Sequence, residues 1–192
     1  MKPENCALII LASGLSERFG TADKLMVDFR GKPLVQHVID AAKDVRFARR
    51  FAVIPRLSKR RRALFSGQDF TLIENDTPEA GQGGSLKLAA QAARDDGYSA
   101  ICVMLGDMPF VQTADLINLL RNLSGKDRGI SHCNNTLMPP AIFTNEALDA
   151  LLSLDPDSGA KALFNSEDFY KHPLSERAAR DIDTPETLAE LT

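Results

Sequence analysis

Residues 7–24 read ALIILASGLSERFGTADK, an apolar run followed at once by a segment with two glycines and two basic residues. A short, continuous apolar run bounded by turn residues is typical of a strand that is buried on both faces. Strands of this kind occupy the interior of parallel sheets, where helices cover both faces. The stretch therefore predicts an α/β fold, with the glycine-bearing segment at the carboxyl end of its first strand.

Strand-like and helix-like segments alternate through about the first two-thirds of the chain. Further buried strands are predicted at residues 51–54, 70–74 and 100–105, and helices at residues 33–43, 56–65, 85–93 and 113–122, the last capped by Thr113. After Gly129 the pattern loosens into short strands near Ile130 and Ile142 and helices at residues 145–152 and from Pro185. This alternation predicts a three-layer α/β/α, Rossmann-like fold with a mainly parallel sheet. No repeat or linker-like composition interrupts it, so residues 1–192 are interpreted as a single domain.

Composition excludes several classes of function. The 192 residues have a formal net charge of -3, which offers no general surface for polyanions. A basic cluster between Arg46 and Arg62 is interpreted as a solvated helix face rather than a nucleic-acid surface. The three cysteines are widely spaced, which favours free thiols in a reducing compartment. Because no apolar run approaches the length of a membrane span, we predict a cytoplasmic protein without membrane or nucleic-acid partners.

Three polar segments follow predicted strands, at residues 12–24, 75–85 and 106–109. Open parallel sheets bind ligands beyond the carboxyl ends of their strands. We therefore expect the functional site where these three segments meet.

The first segment has the composition of a phosphate-binding loop. Gly14 lets backbone amides approach an anion without a Cβ in the way, and successive amides can form an anion-binding nest. Ser16 adds a hydroxyl group, and Arg18 and Lys24 add positive charge suited to a triphosphate. The segment matches neither the P-loop nor the GxGxxG pattern. A solvated loop with two surface cations is the alternative at this point.

The other two segments suit a metal ion and a nucleoside. Asp107 lies just after the most hydrophobic strand, where a carboxylate can bind Mg²⁺. The bound ion would neutralise the negative charge that develops during displacement at phosphorus. The alternative is an aspartate that stabilises a turn. In the remaining segment Asn75, Thr77 and Ser85 offer donors and acceptors suited to a nucleobase edge. A mobile loop with a serine helix cap is the alternative there.

Six segments, in order along the chain, resemble the motifs of the molybdenum-cofactor nucleotidyltransferases, a family within the larger sugar-nucleotide transferase fold. They are LASGLSERFGTADKL (11–25), AGQGGSL (80–86), LGDMPFV (105–111), MPPAIF (138–143), DSGAKALF (157–164) and ARDIDTPETL (179–188). The first is similar to the signature LAAGxSxRFGxxKL of that family. The cytidylyltransferase branch is the most similar, since guanylyltransferases usually have LAGG in the first loop. The resemblance implies a Mg²⁺-dependent nucleotidyltransferase that uses an NTP, with CTP favoured.

The resemblance also implies roles for individual residues. The residues implied to act in catalysis are Arg18, Lys24 and Asp107. The residues implied to bind the nucleotide are Ala12, Ser13, Gly14, Ser16, Asn75, Gly83 and Ser85. The implied metal ligands are Asp107 and one member of the late acidic pair Asp181 and Asp183, of which Asp183 is favoured. For Asp183 or Thr184, a helix cap before Pro185 is the alternative.

The reaction implied is attack by an acceptor phosphate on the α-phosphorus of the NTP, with release of pyrophosphate. Molybdopterin is the favoured acceptor, and a molybdoenzyme is a candidate protein partner. Ser13, Gln82 and Met138 depart from the family's alanine, methionine and glycine. The resemblance implies that the position of Ser13 helps to discriminate bases and that the region of Met138 contacts the acceptor. Two alternatives stay open: transfer to a sugar or polyol phosphate, and a non-catalytic nucleotide-binding module or chaperone on the same fold.

Overall fold

The computed structural model describes residues 1–154, 160–165 and 168–192, and its central element is the predicted first strand, β1 (Ala7–Leu11). Eight further strands are β2 (Asp28–Phe29), β3 (Lys32–Pro33), β4 (Arg49–Pro55), β5 (Thr71–Asn75), β6 (Ala100–Leu105), β7 (Arg128–Cys133), β8 (Thr136–Thr144) and β9 (Tyr170–Pro173). Seven of the nine form one sheet in the order β5-β4-β1-β6-β8-β7-β9, and β2 and β3 form a separate antiparallel pair. In the large sheet β1 pairs in parallel with β4 and with β6, so its carboxyl end lies beside theirs.

The described residues form six α-helices: α1 (Leu34–Lys43), α2 (Lys59–Ser66), α3 (Gly81–Asp95), α4 (Thr113–Arg121), α5 (Asn145–Ser153) and α6 (Pro185–Leu191). Alternate residues of β1 point to opposite faces, as strand geometry requires. Leu8 and Ile10 enter a core with α1 and α4, whereas Ile9 enters a second core with α3 and α5. The predicted three-layer α/β/α, Rossmann-like fold is therefore confirmed.

The mainly parallel sheet is also confirmed, with one reversal. β8 is antiparallel to both of its neighbours, β6 and β7, whereas the other neighbouring pairs of the large sheet are parallel. Neither β9 nor the β2–β3 pair was predicted from the sequence. The third helix was predicted to begin at residue 85, but α3 begins at Gly81.

The predicted cap of α4 was wrong. Gln112 is the cap residue, and it forms a capping box in which its backbone N–H donates to the Asp115 carboxylate at 2.9 Å. The hydroxyl of Thr113 instead donates to the backbone carbonyl of Ala41 at 2.7 Å and ties α4 to α1.

The cysteine thiols behave as small apolar groups. Cys6 and Cys102 are free thiols without solvent exposure, and burial raises the pKa of Cys102 to about 12. Within the described residues, no helix combines the length and apolar character needed to cross a bilayer.

Candidate functional site

A crevice of about 480 Å³ opens at the carboxyl ends of β1 and β6. Its lining comes from all three polar segments of the sequence and from one late residue: residues 11, 13–18, 24–25, 78–79, 81–82, 85, 105–107 and 183. The position agrees with the general rule that ligands bind beyond the carboxyl ends of parallel strands.

Gly106 brings the end of β6 against the end of β1. Its N–H donates to the carbonyl of Leu11 at 3.0 Å. A Cβ at Gly106 would lie 3.1 Å from Leu25 Cδ1 and 3.3 Å from Val35 Cγ2, so any side chain here would have to displace its neighbours. This close approach fixes the backbone from which Asp107 extends.

Lys24 joins two carboxylates in the crevice. Its Nζ donates to Asp107 Oδ2 at 2.7 Å and to Asp183 Oδ1 at 2.8 Å, and Arg18 donates to Asp183 Oδ2 at 2.8 Å. Partial burial would lower the pKa of Lys24, but the two carboxylates outweigh burial and raise it. Hydrogen bonds and charge from Lys24 and Arg18 hold the pKa of Asp183 below its ordinary value.

The two late acidic residues have different environments. Asp183 contacts both Arg18 and Lys24. The pKa of Asp181 is raised instead, by burial and by the negative charges of Asp183 and Asp107. The N–H of Ile182 donates to the carbonyl of Asp107 at 3.0 Å and holds the late segment against the crevice. Thr184 is the cap of α6, accepting from the Thr187 N–H at 3.2 Å, and Asp183 therefore serves the crevice and not the helix.

The carboxylates fit a divalent cation that shares its ligands with a substrate. Asp107 Oδ1 is buried and has no hydrogen-bond partner, although Oδ2 receives Lys24. Within residues 1–154, 160–165 and 168–192 no cluster of three or more His, Cys, Asp or Glu forms a closed metal cage. Mg²⁺ is usually bound by one or two carboxylates with substrate phosphates and water, and Asp107 with Asp183 suits that mode.

The loop after β1 presents free backbone donors. The N–H groups of residues 13–16 donate no hydrogen bond to any part of the chain that the structure describes. Ser16 has a left-handed backbone with φ of 62°, and its Oγ accepts from the backbone N–H of Lys24 at 3.1 Å. Consecutive free amides beside basic side chains form an anion-binding nest.

Gly14 provides a test of close ligand approach. An ideal Cβ at Gly14 would meet no protein atom within 4 Å, and its φ is not in the left-handed range, so alanine fits the folded chain. Gly14→Ala is therefore expected to leave the thermal midpoint unchanged within about 2 °C and to weaken NTP binding about tenfold. Calorimetry with NTP and Mg²⁺ would measure this. Equal NTP affinity in the variant would show that no ligand approaches Gly14 closely.

A buried network of three polar side chains supports one wall of the crevice. Asn75 Oδ1 accepts from the Thr77 N–H at 2.9 Å, so its amide nitrogen faces two hydroxyls, donating to Ser13 Oγ at 2.9 Å and Ser85 Oγ at 3.1 Å. The Ser85 hydroxyl donates a hydrogen bond to the carbonyl of Gly81 at 3.0 Å. Ser85 is thus inside α3, and the suggested serine helix cap was wrong. The hydroxyl hydrogen of Ser13 has no acceptor among the described residues and is free to donate into the crevice.

Not every predicted nucleotide-binding residue lines the crevice. Ser13, Gly14, Ser16 and Ser85 do, together with Arg18, Lys24, Asp107 and Asp183. Ala12 and Asn75 are buried and do not line it, and Asn75 and Gly83 line a second pocket beside the start of α3. In the motif at residues 157–164, residues 157–159 lie outside the described residues.

The contacts of Arg61 were not predicted from the sequence. Arg61 was assigned to a solvated helix face, but its side chain is 3% exposed and the assignment was wrong. Its guanidinium pairs with Asp23 and donates to the carbonyls of Ala12 and Gly14 at 2.7 and 2.9 Å and to Ser16 Oγ at 3.2 Å. Phe65, one helical turn later, is buried beside it, and this i, i+4 relation was the available signal.

The fold and crevice define an α/β protein of the nucleotidyltransferase type. The chain belongs to the MobA-like NTP transferase domain family, whose profile matches residues 8–173.

Comparison with individual proteins gives more distant likenesses. The chain is 32% identical over 127 residues to the bifunctional protein GlmU of Bordetella parapertussis, across 65% of this chain and 27% of that protein. It thus spans about a quarter of the length of the curated relatives that it matches.

Two solved structures show the same fold. One is molybdopterin-guanine dinucleotide biosynthesis protein A from Archaeoglobus fulgidus, with a TM-score of 0.69, 22% identity and 96% of each chain covered. The other is the manganese complex of Rv0371c from Mycobacterium tuberculosis H37Rv, with a TM-score of 0.73, 20% identity and 97% of each chain covered.

Proposed function

We propose that this protein transfers CMP from CTP to a small phosphorylated acceptor of the molybdopterin type and releases pyrophosphate. The observation that supports it most is the position of Lys24, which bridges Asp107 and Asp183 at 2.7 and 2.8 Å beside a loop of free backbone donors. Such a site suits both a triphosphate and a divalent cation. The triphosphate requires positive charge and N–H donors, and the cation requires carboxylates.

In the proposed reaction, an oxygen of the acceptor phosphate attacks the α-phosphorus, and the bond from that phosphorus to the bridging oxygen of the β-phosphate breaks. A phosphate monoester is largely ionised near neutral pH, so the attack needs no strong general base. The amides of residues 13–16, with Arg18 and Lys24, hold the phosphates and balance charge on the leaving pyrophosphate. Mg²⁺, held by Asp107 and Asp183, would supply positive charge at the phosphates when bound.

The preference for CTP comes from the resemblance of the first loop to the cytidylyltransferase branch, and Ser13 adds a physical argument for it. Because Asn75 donates to its Oγ, the Ser13 hydroxyl is left to act as a donor to a ligand. Cytosine has two acceptors, O2 and N3, on the edge by which a pyrimidine is recognised, whereas the corresponding N1 and N2 positions of guanine are donors. A hydroxyl donor that faces O2 or N3 would therefore favour cytosine over guanine, whose one acceptor on that edge is O6.

The molybdopterin-type acceptor rests on family membership and on the name of the Archaeoglobus relative. A cytoplasmic location and delivery of the product to a molybdoenzyme follow from the same proposal. A sugar or polyol phosphate is the competing acceptor, since the same loop and carboxylates would serve it. A nucleotide-binding module without catalysis is disfavoured, because simple binding has less need for the two carboxylates around Lys24.

A pyrophosphate-release assay tests the proposal. With Mg²⁺ and molybdopterin, CTP is expected to give a kcat/KM at least about tenfold above ATP, GTP and UTP. Ser13→Ala is expected to reduce the preference for CTP over GTP severalfold, because the variant lacks the hydroxyl donor.

Glucose 1-phosphate and glycerol 3-phosphate serve as alternative acceptors in the same assay. Faster release of pyrophosphate with either acceptor than with molybdopterin would contradict the molybdopterin-type acceptor but would still agree with nucleotidyltransferase activity. Binding of CTP without release for any acceptor would contradict catalysis.

A further inference from the structure

Arg61 contacts the loop after β1 from a position outside the crevice. It is not among the residues that line the crevice, and with 3% exposure its guanidinium is closed off from a ligand there. Its bonds to the backbone of the loop are made with two carbonyls, those of Ala12 and Gly14, and a third bond goes to Ser16 Oγ. These two carbonyls immediately precede the free N–H groups of Ser13 and Leu15.

Peptide geometry relates these carbonyls to the free amides. In a trans peptide the C=O of one residue and the N–H of the next point in opposite directions. Binding the Ala12 carbonyl therefore turns the Ser13 N–H away from Arg61, and binding the Gly14 carbonyl does the same for the Leu15 N–H. Ser13 and Leu15 both line the crevice, whereas Arg61 does not.

We propose that Arg61 is a positioning residue that holds the loop after β1 in its anion-binding conformation, so that its amides are ready for the polyphosphate of the nucleotide. The proposal rests on the proposed function only for the identity of the anion. Arg61 acts through the Ala12 and Gly14 carbonyls and makes no contact with the ligand.

The side chain at this position has to be arginine. Its Nη1 binds both carbonyls, its Nη2 binds Ser16 Oγ and Asp23, and its Nε also binds Asp23 at 2.9 Å. The planar guanidinium presents five N–H donors in fixed directions, whereas a lysine ammonium has three N–H donors on one nitrogen atom. Lysine can keep the ion pair with Asp23, but it cannot serve both carbonyls and Ser16 as well.

Arg61 also connects the loop to Lys24. Ser16 Oγ accepts from Arg61 and from the backbone N–H of Lys24, and Asp23 accepts from Arg61 and from the N–H of Leu25. One buried guanidinium thus fixes both ends of the segment that carries the free amides and the bridging lysine. Preorganisation of this kind removes the entropic cost of ordering a loop when the ligand binds.

Pyrophosphate binding tests the proposal without an acceptor or turnover. Calorimetry with inorganic pyrophosphate and Mg²⁺ would compare wild type, Arg61→Lys, Arg61→Met and the control Arg60→Met, which alters an exposed neighbour on the same helix. Arg61→Lys is expected to remain folded and to bind pyrophosphate at least about tenfold more weakly, and Arg60→Met to bind as wild type. A folded Arg61→Lys with wild-type pyrophosphate affinity would overturn the proposal.

A second measurement uses the wild-type protein, in case both Arg61 variants fail to fold. Hydrogen exchange followed by mass spectrometry is expected to show slower exchange of the amides at residues 13–16 when pyrophosphate and Mg²⁺ are added. Unchanged exchange at these amides would overturn the proposal, because Arg61 would then be holding donors that no anion uses. If pyrophosphate binds and protects the loop but no nucleotidyl transfer is found, the proposed function fails and the role of Arg61 stands.

Discussion

Asp107→Asn is expected to leave the protein folded and to lower kcat by about 10³-fold. The substitution preserves shape but removes the negative charge that pairs with Lys24 at 2.7 Å. It also removes a carboxylate whose second oxygen, Oδ1, is buried without a hydrogen-bond partner. Steady-state release of pyrophosphate, with circular dichroism as the check on folding, measures the effect.

The matched control for this prediction is Asp76→Asn. Asp76 pairs with Arg56 on the surface and is not among the residues that line the crevice, so the control removes one exposed carboxylate charge. We expect the control to keep wild-type kcat, since exposed ion pairs contribute little. An Asp107→Asn variant with near wild-type kcat would remove Asp107 from the reaction.

Lys24→Met is expected to separate cation binding from turnover. In the free protein the ammonium group pairs with Asp107 Oδ2 and Asp183 Oδ1, so it neutralises the two carboxylates that are proposed to hold the divalent cation. Without it, two carboxylates are left with less neutralising charge, so Mn²⁺ alone is expected to bind about tenfold more tightly than in wild type. The kcat/KM for CTP is expected to fall by about 10²- to 10³-fold, because the triphosphate loses a positive contact.

Calorimetry or electron paramagnetic resonance with Mn²⁺ measures the first effect, and the pyrophosphate-release assay measures the second. Lys32→Met is the control, since Lys32 pairs with Asp40 on the surface and lies outside the crevice. If Lys24→Met binds Mn²⁺ no better than wild type does, the lysine and the cation do not share these carboxylates.

The position of the crevice could be predicted from the sequence for a simple physical reason. Buried parallel strands give continuous apolar runs, and their carboxyl ends share one edge of the sheet. That reasoning placed Lys24 and Asp107 at the same site, and the two side chains do meet there. The proximity of Asp183 came from resemblance alone, because nothing in its local sequence indicates what it contacts.

Other features lay beyond sequence patterns. The apolar run of β8 does not encode direction, so its antiparallel pairing with β6 could not be predicted. The glycines at the start of α3 suggested a loop, but tertiary contacts override weak helix propensity. Arg61 lies between exposed and half-exposed arginines in a helix of low hydrophobicity, and its charge concealed a position on the buried face shared with Phe65.

The ion pairs of the crevice join parts of the chain that are far apart in sequence. Lys24 and Asp107 are 83 residues apart, and Arg18 and Asp183 are 165 residues apart. Contacts of such long range come at a high cost in chain entropy and depend on the prior assembly of the elements between them. During refolding, collapse and helix formation should therefore precede recovery of the complete charge cluster, which makes activity a late marker of correct assembly.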